Sequence, residues 1–253
     1  VSDRITFVGH ATVLIEIGGR RILTDPVLRP RMLRVIHRHA DEPADHLSED
    51  VDAILISHLH HDHLDFPSLK RFDRATPLVV PAGAARTLRR RGFTNITELN
   101  AGEATDVGGV EVTATPAVHE GRRFKIGPRV EAAGYELASP ERRIYFAGDT
   151  DLFDEMSELA GRIDVALLPI AGWGPNLGKG HLNPGTAGEA AALIRPRVVV
   201  PIHWGTLIRF DLRPRAEEFF GGPPRKLAEA LREHAPEVEL AVLQPGASLD
   251  LPG

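Results

Sequence analysis

The stretch His58-Leu59-His60-His61-Asp62-His63 puts four metal-ligand side chains, His58, His60, Asp62 and His63, into six residues. No single face of a helix or strand presents all four, because their spacing fits neither a 3.6-residue nor a two-residue period. A tight loop can converge them. The 253-residue chain contains no cysteine, so thiolate metal sites and disulfides are excluded. A metal held here is held by imidazole and carboxylate, donors that suit borderline divalent ions. The apolar run "VDAILIS" leads straight into the cluster, which argues against a merely solvated histidine-rich turn.

Three more ligand-type residues close apolar runs downstream: His119 ends "VTATPAVH", Asp149 ends "RRIYFAGDT" and His203 ends "RVVVPIH". Strand ends are where a rigid sheet presents side chains to a shared cleft. Each has a plainer alternative when taken singly. His119 would be a capping or core histidine, Asp149 the N-cap of a following helix, and His203 a ring packed on Trp204. Asp25, in "RILTDP", is either an Asp-Pro turn or a carboxylate that accepts the free ring N–H of a ligating histidine. His181, in "GHLNPGTAGEA", stands just before a helix with Asn183 as N-cap and Pro184 in its first turn. It is either a capping residue or, if the fold brings it beside the cleft, a proton donor or oxyanion binder. His10 is a buried supporting residue or a catalytic one. His61 and Asp65 lie in or beside the same stretch, the first expected to point away or pack and the second to hydrogen-bond locally. Trp173, Trp204 and Phe124 are candidate pocket walls, with Trp204 equally suited to the core. Arg122, Arg123 and Lys125 form an exposed basic turn or engage an anionic substrate group.

The elements that must position these residues follow from pattern. "RITFVG", "TVLIEIGG" and "RRILTDP" read as a β-meander with a hairpin turn at Gly18-Gly19. Residues 29–50 are polar, basic and irregular, and read as a surface excursion near a substrate cleft. "VDAILIS" is a buried strand, "FPSLKRF" a short helix with Pro67 in its first turn, "TPLVVPA" a strand and "GAARTLRRRG" a helix stopped by Gly92. Strands resume in "ITEL", "GVEVTATPAVH", "RVEAAGYELAS" and "RRIYFAGDT". A helix over "DLFDEMSELAGR", a strand "DVALLPIA", a helix from 184 to 194, a strand "RVVVPIH", a helix near 223–234 and a strand "VELAVLQ" complete the chain. Strands and helices in both halves predict an α/β fold, an αβ/βα sandwich of two facing mixed sheets with outer helices. No linker or residue-level repeat divides residues 1–253, which read as a single domain.

The balance of 30 basic against 35 acidic residues argues against nucleic acid as a partner. With no apolar window of membrane-spanning length and no secretory leader pattern, the sequence reads as cytoplasmic, without a transmembrane segment.

The motif HxHxDH, matched in full at residues 58–63, resembles that of the metallo-β-lactamase superfamily. "GHATVLIE", "LTDP", "PAVH", "FAGDT" and "PIHWGT" are similar to the branch containing L-ascorbate-6-phosphate lactonase and N-acylphosphatidylethanolamine-hydrolysing phospholipase D. The resemblance implies two divalent ions, zinc first and manganese or iron as alternatives. His58, His60 and His119 would hold one ion and Asp62, His63 and His203 the other, with Asp149 bridging. It implies a hydroxide held by the dinuclear centre as nucleophile, oriented by Asp62 and assisted by His181, acting on an ester-type bond, phosphodiester or lactone, of a small and anionic or phosphate-containing substrate. A di-iron oxidoreductase and a non-enzymatic metal-binding protein of the same fold are the alternatives. Lactonases of this branch assemble, so a homo-oligomer is a further expectation.

Overall fold

The computed structural model describes residues 3–121, 123, 130–174 and 178–252. The strands in chain order are β1 (Asp3–Gly9), β2 (Thr12–Ile17), β3 (Arg20–Thr24), β4 (Arg31–Met32), β5 (Ile36–Arg38), β6 (Ala53–Leu55), β7 (Leu78–Pro81), β8 (Ile96–Leu99), β9 (Ala104–Val107), β10 (Val110–Pro116), β11 (Ala133–Ala138), β12 (Arg143–Phe146), β13 (Val165–Pro169), β14 (Val198–Ile202), β15 (Leu207–Arg209), β16 (Glu239–Leu240) and β17 (Ser248–Leu251). The helices are α1 (Phe66–Leu69), α2 (Ala85–Arg89), α3 (Pro184–Ile194) and α4 (Ala216–His234).

The strands form two seven-stranded sheets and a small third one. The first sheet runs β17-β1-β2-β3-β6-β7-β8 and the second β16-β14-β13-β12-β11-β10-β9. Both carry the same sequence of strand senses. In the first, β17, β1, β2 and β3 pair antiparallel, and β3, β6, β7 and β8 parallel. In the second, β9 to β12 pair antiparallel and β12, β13, β14 and β16 parallel. Strands β1, β3, β6, β10, β12, β13 and β14 therefore end at the edge where the histidines gather, as expected for ligand sites beyond the carboxyl ends of parallel strands.

Alternation along the strands assigns the faces. Ile5, Phe7, Val13, Ile15, Ile22, Leu55 and Val79 join the core shared with Tyr135, Tyr145 and Phe146 of the second sheet, while Leu14, Leu23, Ile54, Leu78 and Val80 face Phe66, Leu69 and Leu88 of α1 and α2. The two-residue period of a strand gives this division. Ala187, Ala190, Ile194, Leu227 and Leu231 cover the second sheet. Gly188 lets α3 approach α4, because a Cβ there would lie 2.6 Å from that of Ala230. The layers are helix, sheet, sheet, helix, the αβ/βα sandwich expected.

Several elements differ from the sequence expectation. Residues 29–50 hold β4 and β5, which pair with β15 in the third sheet. "DLFDEMSELAGR" forms only a 3-10 helix, Asp154–Leu159. Helix α4 begins at Ala216, ahead of Pro223 and Pro224. "VELAVLQ" contributes just two strand residues, and β9, β15 and β17 went unpredicted. His119, Asp149 and His203 stand just past strand ends, on the loops after β10, β12 and β14. No helix among the described residues is long and apolar enough to cross a membrane.

Candidate metal centre

Strand β6 ends at Leu55 and the chain turns at once through residues 58–63. His63 N–H and Leu64 N–H both donate to the His60 carbonyl, closing a tight loop that faces its side chains to one point. Asp65 caps α1 by accepting from Ser68 N–H and pairs with Arg29 at 2.7 Å. Arg123 clamps the loop from outside: it donates to the carbonyls of Leu59 and Leu64 and to His61 Nδ1, and its guanidinium lies over Phe66. The structure thus gives Arg123 a scaffolding role, whereas Arg122, Phe124 and Lys125 lie outside the described residues.

The expected ligands converge. Among the described residues, ligand atoms of His58, His60 and His119 lie within 4.8 Å of one another, as do those of His58, His63 and Asp149, of His119, Asp149 and His181, and of His10, Asp62, His63 and His203. His58 Nε2 is 2.9 Å and His119 Nε2 3.1 Å from His60 Nδ1, and His63 Nε2 is 3.2 Å from His203 Nε2. Asp149 sits between the groups, with Oδ2 3.1 Å from His63 and 3.9 Å from His58, and Oδ1 3.3 Å from His203.

The chemistry of these donors is a test of whether they suit a cation. His58 Nδ1 faces Ser57 Oγ, His63 Nδ1 faces Asp25, His119 Nδ1 faces the Gly180 carbonyl and His203 Nδ1 faces the Ala171 carbonyl. Each of these oxygens takes the ring proton, so the opposite Nε2 is a bare lone pair, and which nitrogen carries the proton follows from the acceptor. With His63 neutral, its bare Nε2 faces that of His203 at 3.2 Å; the bare Nε2 atoms of His58 and His119 both face His60 Nδ1, which can donate to only one of them; and Asp149 Oδ1 is buried without a hydrogen-bond donor among the described residues. Lone pairs so arranged repel unless a positive charge stands among them. Ligand atoms around an ion at ~2.0–2.1 Å in tetrahedral geometry are spaced by roughly 3.3 Å, close to these separations. The residues fit divalent ions.

Electrostatics agree for His58, His119, Asp62 and Asp149. Burial pushes His58 well below its usual range, His119 down to about 4 and His10 to about 3, leaving neutral rings, the ligating form. Burial opposes ionisation of Asp62 and Asp149, but His63 with His10 around Asp62, and His203 with His63 around Asp149, hold both carboxylates well below their ordinary value. His63 is the exception: it is pulled down by burial yet held well above its usual range by Asp149, Asp25 and Asp62, so without a cation among these carboxylates it takes a second proton at Nε2, the atom an ion would displace it from.

Asp25, fully buried after β3, accepts from Ser57 N–H, from the Ser57 hydroxyl and from His63 Nδ1–H, so it orients a candidate ligand rather than serving as a simple turn. Asn183 caps α3 with its side chain on Gly185 and Thr186 N–H, which leaves His181 free of capping. His181 Nε2 lies 3.5 Å from Asp149 Oδ2 and its Nδ1 faces the Lys179 carbonyl. A cavity of about 330 Å³ opens over the centre, lined by Leu33, His60, His61, Asp62, Trp173 and His181 among others. Trp204 belongs to the core: it is buried, stacks on Phe7 and donates to the Pro201 carbonyl. Trp173 does wall the cavity, and its Nε1–H donates to Asp62 Oδ2 at 3.0 Å. Sequence reasoning missed that bond, because a contact across 111 residues leaves no spacing signal.

Two facing mixed sheets with a histidine–aspartate cluster beyond their strand ends are the architecture of metal-dependent hydrolases with the metallo-β-lactamase fold. The chain belongs to that superfamily, since the family profile described as "Beta-lactamase superfamily domain" matches residues 20–204. A metal-dependent hydrolase of Caldivirga maquilingensis is 36% identical over 98% of both chains. An N-acyl-phosphatidylethanolamine-hydrolyzing phospholipase D of Caenorhabditis elegans is 32% identical over 79% of this chain and 63% of its own length. In structure, Igni18, a metallo hydrolase from Ignicoccus hospitalis, superposes with a TM-score of 0.74 over the whole of both chains at 24% identity.

Proposed function

We propose that residues 1–253 act as one catalytic domain that hydrolyses an ester-type bond, a phosphodiester or a lactone, of a small anionic substrate at a dinuclear metal centre. The observation that carries this is Asp149, whose two carboxylate oxygens reach His63 and His203 on one side and approach His58 on the other. One residue is thus shared by two groups of bare donors. His58, His60 and His119 would hold one ion, Asp62, His63 and His203 the other, and Asp149 both. Two divalent ions held by these residues would lower the pKa of a water towards neutrality and polarise the bond to be broken.

The protein's own groups supply the rest. Asp62 borders the cavity as a carboxylate and accepts the proton of the attacking water. His181 lies within the same cavity. Burial works against its charged form, but the hydrogen bond and charge of Asp149 raise its pKa, so it is a donor to the departing oxygen. Trp173 and Leu33 flank the opening and restrict what enters. The likeness to a phospholipase D favours the phosphodiester.

The test is turnover of bis(p-nitrophenyl) phosphate against a panel of lactones, with zinc-loaded and manganese-loaded protein of measured metal content. Turnover of either class that is lost in Asp62→Ala supports the reading. Two bound ions with neither class cleaved overturn it, and iron in protein purified without chelator would direct attention to the oxidative chemistry available to the same donors.

A further inference from the structure

His10 faces the centre but is needed by neither ligand group. It occupies the turn after β1 with φ of 58°, a left-handed backbone that a side-chain-bearing residue keeps only where its surroundings fix it. Here its N–H donates to Thr206 Oγ1 at 2.9 Å and its carbonyl accepts from His203 N–H at 2.8 Å. The ring is buried, 3.8 Å from that of His203 between centroids. His10 Nε2 lies 3.1 Å from Asp62 Oδ2. A carboxylate only accepts, so Nε2 carries the proton and Nδ1 is a bare acceptor. That Nδ1 is buried and meets no donor among the described residues. The ring is held in an unfavourable setting, and what it delivers is one N–H aimed at Asp62.

A second donor meets it. Trp173 Nε1–H, which can only donate, reaches the same Oδ2 at 3.0 Å. The two N–H groups come from different sheets, one from the turn after β1 and the other from the loop after β13. Oδ2 is also the Asp62 oxygen facing His63 and His203, at 3.8 Å from each Nε2. We propose that His10 and Trp173 are a pair of positioning residues that fix the Asp62 carboxylate, and through it strengthen the hold of Asp62, His63 and His203 on the second ion. This rests on the dinuclear reading above. It differs from direct ligation because the nitrogen of His10 that faces the cluster is the protonated one.

The test is zinc binding rather than catalysis. Zn²⁺ is titrated against a chromophoric chelator into metal-free wild type, His10→Gln, His10→Met, Trp173→Phe and the His10→Met/Trp173→Phe double variant. His10→Met fills the ring's space without an N–H, and His10→Gln restores a donor, so folding and donation are separated. Residues that orient metal ligands change affinity by roughly 10–100-fold when removed, and that loss is expected for only one of the two ions in His10→Met. His10→Gln recovers most of it, Trp173→Phe loses less, and X-ray absorption reports the same number of imidazoles per zinc in His10→Gln as in wild type. Uptake of both ions by His10→Met with wild-type affinity overturns the proposal. So does a fall in imidazole count in His10→Gln, which would make His10 a ligand, and so does a wild type that takes up a single ion. A protein that shows the expected pattern and cleaves no ester would defeat the proposed activity and leave the role of His10 standing.

Discussion

Asp25→Asn changes one buried oxygen into an NH₂ group, and the consequences can be worked through. Asp25 Oδ1 accepts from Ser57 N–H at 2.7 Å, a bond the amide oxygen can keep. Oδ2 accepts from the Ser57 hydroxyl and, at 2.7 Å, from His63 Nδ1–H. An NH₂ in that place sets donor against donor. The hydroxyl can rotate, but the imidazole has two choices. If it keeps its Nδ1 proton, a hydrogen bond to a charged group worth about 1.5–3 kcal/mol is lost and a buried donor is stranded for a further ~1–3 kcal/mol. If it moves the proton to Nε2, it spares much of that cost but covers the lone pair that faces His203 and Asp149. A loss of roughly 10–100-fold in affinity for one ion follows, or about 1.4–2.8 kcal/mol. The first route lowers the melting temperature of the metal-free protein by roughly 5–24 °C, at ~2–4 °C per kcal/mol for a chain of this size. Calorimetry of chelator-treated protein and zinc titration therefore read the two routes separately. If Asp25→Asn matches wild type in both measurements, His63 does not depend on Asp25 and the ligand-orienting argument is wrong.

Three further predictions follow from other residues. His181→Gln should lower kcat by roughly 100- to 10,000-fold, the span of general acid catalysis, with metal content unchanged. Because the protonated ring is the active form, wild-type activity falls as pH rises through the pKa of that ring, and the variant should lack that limb; an unchanged profile would remove His181 from the reaction. In metal-free protein, His119 at about 4 and His10 at about 3 bind protons more weakly than in the unfolded chain, near 6.5. Their contribution to stability is complete above pH 6.5 and lost as pH falls towards 4 and 3, so urea midpoints should drop across that interval unless these rings are solvated. Gly148, at φ of +61°, would place a Cβ 2.7 Å from that of Ser57, whereas Gly102, at +87°, has nothing within 4 Å. Gly148→Ala should cost about 2–5 kcal/mol from backbone and overpacking together, and Gly102→Ala only ~1–2 kcal/mol from backbone; equal denaturation midpoints would contradict the crowding.

The candidate ligands were legible because residue type and spacing carry them. His58 to His63 need a loop, and an apolar strand ends just ahead of it. The hairpin at Gly18-Gly19 was legible for a local reason also, since both residues take positive φ, 54° and 74°. What escaped were features set by distant partners. Strand β17 exists by pairing with β1 across the length of the chain, and its alternating exposure resembles that of a loop. Gly221-Gly222-Pro223-Pro224 is a breaker run by local chemistry, yet α4 continues through it. The close packing of Ala230 on Gly188 that anchors its second half is invisible to propensity. Trp173, His10 and Arg123 acquire their roles from contacts made across 111, 52 and about 60 residues, where sequence offers no period to read.

The opposed nitrogens of His63 and His203 have a mechanical consequence as well as a chemical one. They belong to different sheets and stand 140 residues apart in the chain. An ion gripping both is a cross-link that closes a loop of that length, and in a chain without cysteine it does the work of a disulfide. Closing so long a loop removes much of the freedom of the unfolded chain. Unlike a sulfur bridge, such a rivet would answer to pH and chelators instead of reductants, adding a metal-dependent increment to the core that already joins the sheets.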